Sequence, residues 1–479
     1  MKMHTVEKIG GTSMSDYQAV RDNIISKAAS HGGLFQRVFV VSAYGGITND
    51  LLEHKKTGEP GVYALFANTV NDDSWSNGLQ NLKEKMFAIN ALLFGESELS
   101  KANDFIGQRI EDTRQCLADL HRLCQHGHFS LEDHLATVRE MLASLGEAHS
   151  AWNTAELLQR DGINARFVDL TGWQCDDHMS LDERIQLAFE HVDLETEVPI
   201  VTGYAHSADG LMSTFDRGYS EMTFSRLAVI TEAAEAVIHK EFHLSSADPR
   251  LVGEPNAVPI GRTNYDVADQ LANLGMEAIH PKAAKGLRQH NIPLRVKNTF
   301  EPDHAGTLIT RDYVSDEPCV EIIAGCTGVY AIELYDQDMS GNITRYDGEI
   351  LSLIKRFRAQ IVSKDMNANT ITHYLSTSLK MVKRIRRELE KAFPDAEINQ
   401  RQVAIVSAFG SDMKISGLLA KAVASLAERD INVLAVHQPM RQVDMQFVID
   451  EDDFDRAVKA LHAALVEIHD HGAAICLAS

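Results

Sequence analysis

The chain has 479 residues, of which 44% are hydrophobic and 24% are charged. A chain of this length and composition can bury a large core and should divide into several domains. Its 46 lysines and arginines face 68 aspartates and glutamates, a formal net charge of -22, which repels phosphate backbones and anionic membranes and excludes nucleic acids and lipids as expected partners.

The sequence shows neither a basic and apolar leader pattern nor a run of about 20 apolar residues, so we expect a cytoplasmic protein. Its six cysteines form no C-x-x-C pair and are expected to be reduced thiols. A cluster of His121, Cys124, His126 and His128 raises the alternative of a metal site. No second ligand pair follows it at zinc-finger spacing, so we predict no metal held by the protein there.

The first predicted strand ends near Lys8 and leads into the turn Gly10-Gly11-Thr12-Ser13. Two glycines let backbone N–H groups approach an anion, two hydroxyl groups add donors, and the lysine places a positive charge beside them. A helix predicted from about Asp16 would direct its positive end nearby. The spacing matches no P-loop, dinucleotide or protein-kinase motif. The turn therefore predicts another kind of phosphate site, with a plain structural turn as the alternative.

The segments that follow predict an α/β fold. A buried strand at 38–41 leads into a second glycine turn, residues 77–159 are mostly helical in pattern, and strands return at 165–170 and 198–203. Because helical stretches separate these strands, we expect a parallel sheet with helices on both faces.

Past Thr310 two similar cycles of strand, helix, strand, strand and helix are predicted. In the first, strands at 320–324 and 328–335 precede a helix at 348–358, strands at 360–365 and 370–375, and a helix from 378 to about 391. In the second, the elements are 402–408, a helix at 416–429, 431–437, 443–449, a helix at 452–469, and 473–477. The repeat resembles a pair of ACT domains, with generic ferredoxin-like packing as the alternative.

The opening K-I-G-G-T-S resembles the K-F-G-G-T-S of aspartokinases, in the amino acid kinase superfamily. Further segments resemble that family in the same order: S-A-Y-G-G-I-T-N at 42–49, G-E-A-H-S at 146–150, D-R-G-Y-S-E-M-T at 216–223, A-D-P-R at 247–250, His280-Pro281, and 292–300 with 306–308. The resemblance implies an amino acid kinase (carbamate-kinase-like) parallel-sheet sandwich domain over 1–310. Two ferredoxin-like ACT domains would follow, over 311–394 and 395–479.

The resemblance also implies an activity: ATP and L-aspartate would give ADP and 4-phospho-L-aspartate, with Mg²⁺. It assigns catalytic roles to Lys8 and Glu221, the latter as the organiser of the lysine. The other expected site residues are Gly10, Gly11, Thr12 and Ser13 for phosphate; Ser42, Thr48, Glu147, Arg217 and Ser220 for aspartate; and Lys240, Ser245, Asp248 and Arg250 for the nucleotide. Glu147 would bind the substrate ammonium, and Arg217 a carboxylate, as a planar guanidinium can do bidentately.

Three departures from the family pattern stand out. Glu221 replaces the family's aspartate, the nucleotide segment at 239–245 differs, and Glu277 stands where a second lysine is usual. Another cation, Lys240, Lys282 or Lys285, would have to compensate. A non-catalytic amino-acid sensor with a degenerate kinase domain, or a kinase of another small amino acid, is therefore the alternative function.

The sequences S-E-M-T-F at 220–224 and G-M-E-A-I-H-P-K at 275–282 resemble those of the aspartokinase subgroup associated with ectoine synthesis. The ACT resemblance further implies a homodimer or a higher homo-oligomer formed through these modules. A polar stretch at 336–344, where the family's effector pocket would lie, predicts weak feedback inhibition by lysine or threonine.

Overall fold

The computed structural model describes residues 4–29, 33–55, 57–68, 73–175, 178–215, 218–276 and 278–476. Contacts divide the chain into two compact units, 1–243 with 279–311 and 244–278 with 312–479. Residues 244–278, which the sequence places inside the first domain, thus group with the second unit. The domain boundaries expected at 310 and 394 stay predictions. In the described part of the chain, no helix is long and apolar enough to cross a membrane.

The strands are numbered in chain order. They are β1 Thr5–Ile9, β2 Arg37–Val41, β3 Ala165–Val168, β4 Val198–Thr202, β5 Glu235–Lys240, β6 Arg262–Asn264, β7 Leu294–Asn298, β8 Thr307–Thr310, β9 Ile322–Tyr335, β10 Gln360–Met366, β11 Thr370–Ser376, β12 Glu397–Phe409, β13 Val433–His437 and β14 Asp444–Asp450.

The α-helices are numbered in the same way. They are α1 Gly11–Met14, α2 Tyr17–Ala19, α3 Ser26–Ala29, α4 Ile47–Leu51, α5 Val62–Asn68, α6 Ser74–Leu93, α7 Glu96–Cys124, α8 Leu135–Arg160, α9 Leu181–Phe189, α10 Leu211–Phe215, α11 Tyr219–Ile230, α12 Pro249–Val252, α13 Tyr265–Asn273, α14 Pro281–Gln289, α15 Ile343–Arg356, α16 Leu379–Ala392, α17 Leu418–Ala427 and α18 Phe454–Leu465. A π-helical stretch at Val20–Ile25 connects α2 to α3.

Within the first unit, the described strands form a sheet in the order β3-β4-β2-β1-β5-β7-β8. All neighbours are parallel except β7 and β8. Strands β2 and β4 are buried throughout, as apolar strands covered on both faces are. The parallel sheet expected from the sequence is confirmed, and the helices α6, α7 and α8 occupy the stretch predicted to be helical.

Three turns meet at the carboxyl edge of this sheet. Each is tied by a backbone hydrogen bond to a neighbouring strand: Gly10 donates to His239 over 3.2 Å, Ser42 to Ile9 over 3.1 Å, and Gly203 to Val41 over 2.9 Å. Carboxyl ends of parallel strands are the usual place for a ligand site, because the turns there converge.

A buried ion network fixes the central strands β1, β2 and β5. The Arg37 guanidinium donates to both oxygens of Glu7, over 2.6 and 2.9 Å, and His239 Nε2 lies 2.7 Å from Glu7 Oε2. Burial alone would raise the pKa of Glu7, but Arg37 and His239 hold it far below its ordinary value. Glu7 therefore stays ionised, and the register of the three strands is locked by a fully paired group.

The second unit contains one sheet in the order β10-β11-β9-β12-β14-β13. Each half has the pattern strand, helix, strand, strand, helix, and the halves join where β9 pairs antiparallel with β12. The two predicted cycles are thus present as structural repeats. Both helices of the first half, α15 and α16, cover an apolar core made with β9 and β11.

Four predicted elements of this unit were wrong in detail. The expected strands 320–324 and 328–335 are one strand, β9, because its pairing with β12 continues through a shift between Val403 and Ile405. Helix α15 begins at Ile343 rather than 348, so it includes the last two residues of the polar stretch 336–344, and a 3₁₀ turn at Gln337–Met339 includes three more. In place of the strand expected at 473–477, the described residues form a 3₁₀ turn at Gly472–Ala474 and a single bridge from Ile475 to Ile260.

Candidate active site

Lys8 is the central cation of the candidate site. It lies one residue before the end of β1 and is 7% exposed. Its Nζ lies 3.3 Å from Oε1 of Glu221, which is in the first turn of α11. The lysine and the glutamate that the sequence assigned to catalysis are therefore in contact.

Glu221 accepts a second hydrogen bond, from the backbone N–H of His280 to Oε2. Burial would raise the pKa of Glu221, but the charges of Lys8 and Lys240 and the hydrogen bonds hold it below its ordinary value. Glycine at position 218 allows the His280 segment to pack close to the start of α11, because a Cβ there would lie 2.5 Å from His280 Cδ2. The carboxylate therefore stays ionised and fixes the Lys8 ammonium in place.

The glycine turn follows β1 directly. A Cβ at Gly11 would lie 2.7 Å from the Ala43 carbonyl oxygen, so the packing of this turn against the second turn requires glycine. Thr12 is exposed at the turn. The Ser13 side chain is buried, and its hydroxyl lies 2.9 Å from the Thr299 hydroxyl. This contact ties the turn to Thr299, and the phosphate-binding role of Ser13 stays a prediction.

The second turn, Ser42 to Thr48, packs against α8. A Cβ at Gly146 would lie 2.7 Å from the Ala43 Cβ, so only glycine allows the helix this close. The Ser150 hydroxyl donates to the Ser42 carbonyl over 2.9 Å and pins the helix to the turn. As a result, Glu147 enters the site from α8.

Glu147 is the most unusual ionisable group of the site. Its Oε1 accepts a 2.7 Å hydrogen bond from the Tyr219 hydroxyl. Its Oε2 is buried and has no hydrogen-bond partner among the described residues. Burial raises the pKa of Glu147 to about 7, against the opposing effects of hydrogen bonds from Tyr219 and from the Ala43 backbone and of the Lys8 charge. An unpaired buried carboxylate oxygen is costly, and a cationic ligand would offset that cost.

Of the other residues expected to bind aspartate, Ser220 is buried, and Thr48 is half-buried at the start of α4. A Cβ at Gly203 would lie 2.9 Å from the Ser220 Cβ and 3.2 Å from Glu147 Cγ, so Ser220 and Glu147 flank the same turn. Arg217, together with Glu277, lies outside the described residues.

The residues expected to bind the nucleotide fall in different units. Lys240 ends β5 in the first unit, and its charge reaches Glu221. Ser245, Asp248 and Arg250 belong to the second unit. There Asp248 caps α12 and holds the Arg250 guanidinium over 2.6 Å.

Lys282 and Lys285, the other two cations expected as substitutes for the missing lysine, both lie on α14. Lys282 donates to the Thr214 carbonyl over 3.1 Å, and Lys285 is exposed on α14. The charge of Lys240 is one of those that lower the pKa of Glu221. In the described part of the chain, no group of three or more His, Cys, Asp or Glu side chains is arranged to hold a metal ion.

Two contributors were missed from the sequence. Tyr219 lies in the segment D-R-G-Y-S-E-M-T, in which the resemblance assigns roles to Arg217, Ser220 and Glu221 but none to the tyrosine. A bulky aromatic residue between Gly218 and Ser220 was the available signal. The backbone N–H of His280 left no signal in residue type, because any residue other than proline provides one.

Family models place the chain among known proteins. The model of the amino acid kinase family matches residues 3–298. A model of the ACT domain matches residues 406–465, within the second half of the six-stranded sheet. The first half of that sheet carries the same order of elements but is not covered by this match.

Curated relatives and solved structures agree with these matches. The chain is 56% identical over 477 residues to aspartate kinase Ask_Ect of Stutzerimonas stutzeri (strain A1501), covering 99% of this chain and 100% of that protein. It is 24% identical to the chloroplastic aspartokinase 2 of Arabidopsis thaliana, covering 96% and 84%. In fold it is similar to E. coli aspartokinase III in complex with lysine and aspartate, with a TM-score of 0.74 at 19% identity, covering 97% of this chain and 100% of that one.

Proposed function

Because the chain belongs to the amino acid kinase family and, within it, to the aspartate kinases, we propose that it transfers the γ-phosphoryl group of ATP to the side-chain carboxylate of L-aspartate. The observation that carries the choice of acceptor is the buried Oε2 of Glu147, which lacks a partner among the described residues. The ammonium group of an amino acid would supply the positively charged hydrogen-bond donor that this oxygen lacks. Ser42, Thr48, Ser220 and Arg217 are the proposed further contacts of aspartate.

In the proposed reaction, an oxygen of the aspartate side chain attacks the γ-phosphorus while the bond to the β-phosphate oxygen breaks. ADP leaves with the electron pair of that bond, and 4-phospho-L-aspartate forms. The attacking carboxylate is already ionised at neutral pH, so no protein base has to remove a proton. Positioning and electrostatic stabilisation are sufficient for catalysis of this kind.

Lys8 is proposed to stabilise the negative charge that spreads over the transferring phosphoryl oxygens. Glu221 holds its ammonium in place, and the glycine turn at Gly10 and Gly11, with Thr12, provides donors beside it. Lys240 is proposed as the second cation, in the role that a lysine at position 277 serves in the family. This role is supported by the charge of Lys240, which lowers the pKa of Glu221. Among the charges that lower this pKa, only that of Lys8 has a larger effect.

Mg²⁺ is proposed to accompany ATP. Because the described residues contain no cluster of three or more ligating side chains, the ion would be held mainly by the phosphates and water, as is common for Mg²⁺ in kinases. The ion would neutralise part of the phosphate charge. Ser245, Asp248 and Arg250 stay predicted nucleotide-binding residues.

A hydroxylamine assay tests the proposal directly. Purified protein, ATP, Mg²⁺, aspartate and hydroxylamine should yield aspartyl hydroxamate, whereas an amino-acid sensor yields none. Succinate, which has two carboxylates but no ammonium, should be a poor acceptor because it leaves Glu147 unpaired. Efficient phosphorylation of succinate, or of glutamate in preference to aspartate, would contradict the proposed acceptor.

A homodimer through the second unit is also proposed. Strand β13 lies at an edge of the six-stranded sheet, and its Leu434 and Val436 are 37% and 39% exposed. An uncovered strand edge with apolar side chains favours pairing with another chain. The ectoine-associated assignment rests on the resemblance given above and agrees with the name of the 56% identical relative.

A further inference from the structure

The Glu147 carboxylate accepts a hydrogen bond from one side-chain donor, in addition to a backbone hydrogen bond from Ala43. The donor is the hydroxyl of Tyr219, the first residue of α11, at 2.7 Å from Oε1. The tyrosine is 3% exposed, so solvent does not compete for this hydrogen bond. A hydrogen bond to a charged group in such surroundings is stronger than one between neutral groups.

We propose that Tyr219 is a positioning residue that directs Oε2 of Glu147 toward the substrate ammonium by occupying Oε1. The inference rests on the proposed function and deepens it, because it assigns to one hydroxyl group the orientation of the carboxylate that selects an amino acid. A carboxylate whose two oxygens were both free could rotate. Since one is engaged, the other is left with a fixed direction.

The proton of Tyr219 stays on its oxygen throughout the working pH range. Burial, followed by the charge of Glu147 and the hydrogen bond to it, raises the pKa of Tyr219 well above its ordinary value, while Thr48 opposes that rise as a donor. The phenol therefore remains a donor to Glu147.

Packing fixes the ring of Tyr219 as well as its hydroxyl. Its ring meets the ring of Tyr204 edge to face, with centroids 5.7 Å apart. Tyr204 is also buried, but its hydroxyl donates to a different carboxylate, Glu140, over 2.8 Å. Glu140 accepts backbone N–H groups of Met212 and Ser213 and so caps α10. The two tyrosines are neighbours with similar burial, but the hydroxyl of Tyr219 donates to Glu147 and that of Tyr204 to Glu140.

This pair supplies a matched test, made on the full-length protein. In wild type, formation of aspartyl hydroxamate establishes the reaction itself. In Tyr219→Phe we expect the aspartate KM to rise about tenfold or more, with the ATP KM unchanged. The acidic limb of the pH profile of kcat/KM for aspartate should also move to higher pH, because this hydrogen bond lowers the pKa of Glu147. Tyr204→Phe should keep the wild-type aspartate KM and acidic limb.

A second variant separates positioning from general packing. In the Glu147→Gln background, Tyr219→Phe should change the aspartate KM by much less than it does in wild type, because the group it positions has lost its charge. The inference is overturned if Tyr219→Phe leaves the aspartate KM and the acidic limb unchanged, if Tyr204→Phe reproduces its effects, or if the two substitutions act independently. A wild-type protein that forms no hydroxamate overturns the proposed function, and this inference with it.

Discussion

Nζ of Lys8 lies 3.3 Å from Oε1 of Glu221, although 213 positions of sequence separate the two residues. The strand β1 delivers the lysine and the first turn of α11 delivers the glutamate. Both side chains are largely buried, at 9% and 13% exposure. A charge held this way is oriented before any ligand arrives, which is the condition for electrostatic catalysis.

Replacing Lys8 by methionine should lower kcat on the order of 10³-fold, because the stem is kept and the charge is removed. Thermal unfolding and circular dichroism should show a folded protein. The measurement is the initial rate of the hydroxamate assay at saturating ATP and aspartate. A wild-type kcat in Lys8→Met would remove this residue from the mechanism.

Lys240→Met should also lower kcat, since Lys240 is proposed to replace the missing second lysine. We expect a loss of about 10- to 100-fold, smaller than for Lys8, because Lys8 is in direct contact with Glu221 and its charge lowers the pKa of Glu221 more than that of Lys240 does. Lys285→Met is the matched control: the residue is exposed on α14 and should keep wild-type kcat. A large loss in Lys285→Met with none in Lys240→Met would reverse the assignment.

The affinity for aspartate should depend on the ionisation of Glu147. With a pKa raised to about 7 by burial, the carboxyl group is neutral below that pH and cannot pair with an ammonium. In wild type, kcat/KM for aspartate should fall by about tenfold per pH unit on the acidic side of about pH 7. Glu147→Gln should have a much higher aspartate KM and lack this limb. A wild-type profile that stays flat down to pH 5 would be inconsistent with the role of Glu147.

The same group should make the folded protein less stable as the pH rises. The ordinary pKa of a glutamate, 4.5, applies to the unfolded chain, while the folded value is about 7. Between these values the folded state holds a proton that the unfolded state has lost, so this group's contribution to stability decreases from about pH 4.5 to about pH 7. Glu147→Gln should therefore unfold at higher urea concentration than wild type at pH 8, with a gain of up to about 3 kcal/mol. Equal or lower stability of the variant at pH 8 would contradict this expectation.

Disrupting strand β13 should dissociate the proposed dimer. Lysines at Leu434 and Val436 would place two charges on the exposed apolar side chains of this edge strand. Light scattering after size-exclusion chromatography should give the mass of two chains for wild type and of one chain for the double variant. Leu92→Lys, at a position 87% exposed on α6, is the control and should remain dimeric. A monomeric wild type would exclude the dimer.

The sequence alone determined the class of fold and the order of its parts. Apolar runs such as Val38 to Val41 predict buried parallel strands, because only strands covered on both faces are apolar at every position. The glycine turn after Lys8 was identifiable because a backbone that approaches another backbone closely excludes a Cβ, and this constraint acts on residue type. Glu147 was identified by its place in a segment that resembles the family. Local rules of this kind leave a direct record in the chain.

Only the tertiary structure decided which groups of the site are satisfied. Contacts between distant segments decide this. The Ser13 hydroxyl lies beside Thr299, and Glu221 accepts a hydrogen bond from the His280 N–H. Tyr219 donates to one oxygen of Glu147, while the other has no hydrogen-bond partner among the described residues. The raised pKa of Glu147 likewise comes from burial, which is produced by packing and not by neighbours in sequence. A residue type shows which interactions a side chain can make. Its charge state and its unused hydrogen-bond donors and acceptors are set by the surroundings that the fold provides.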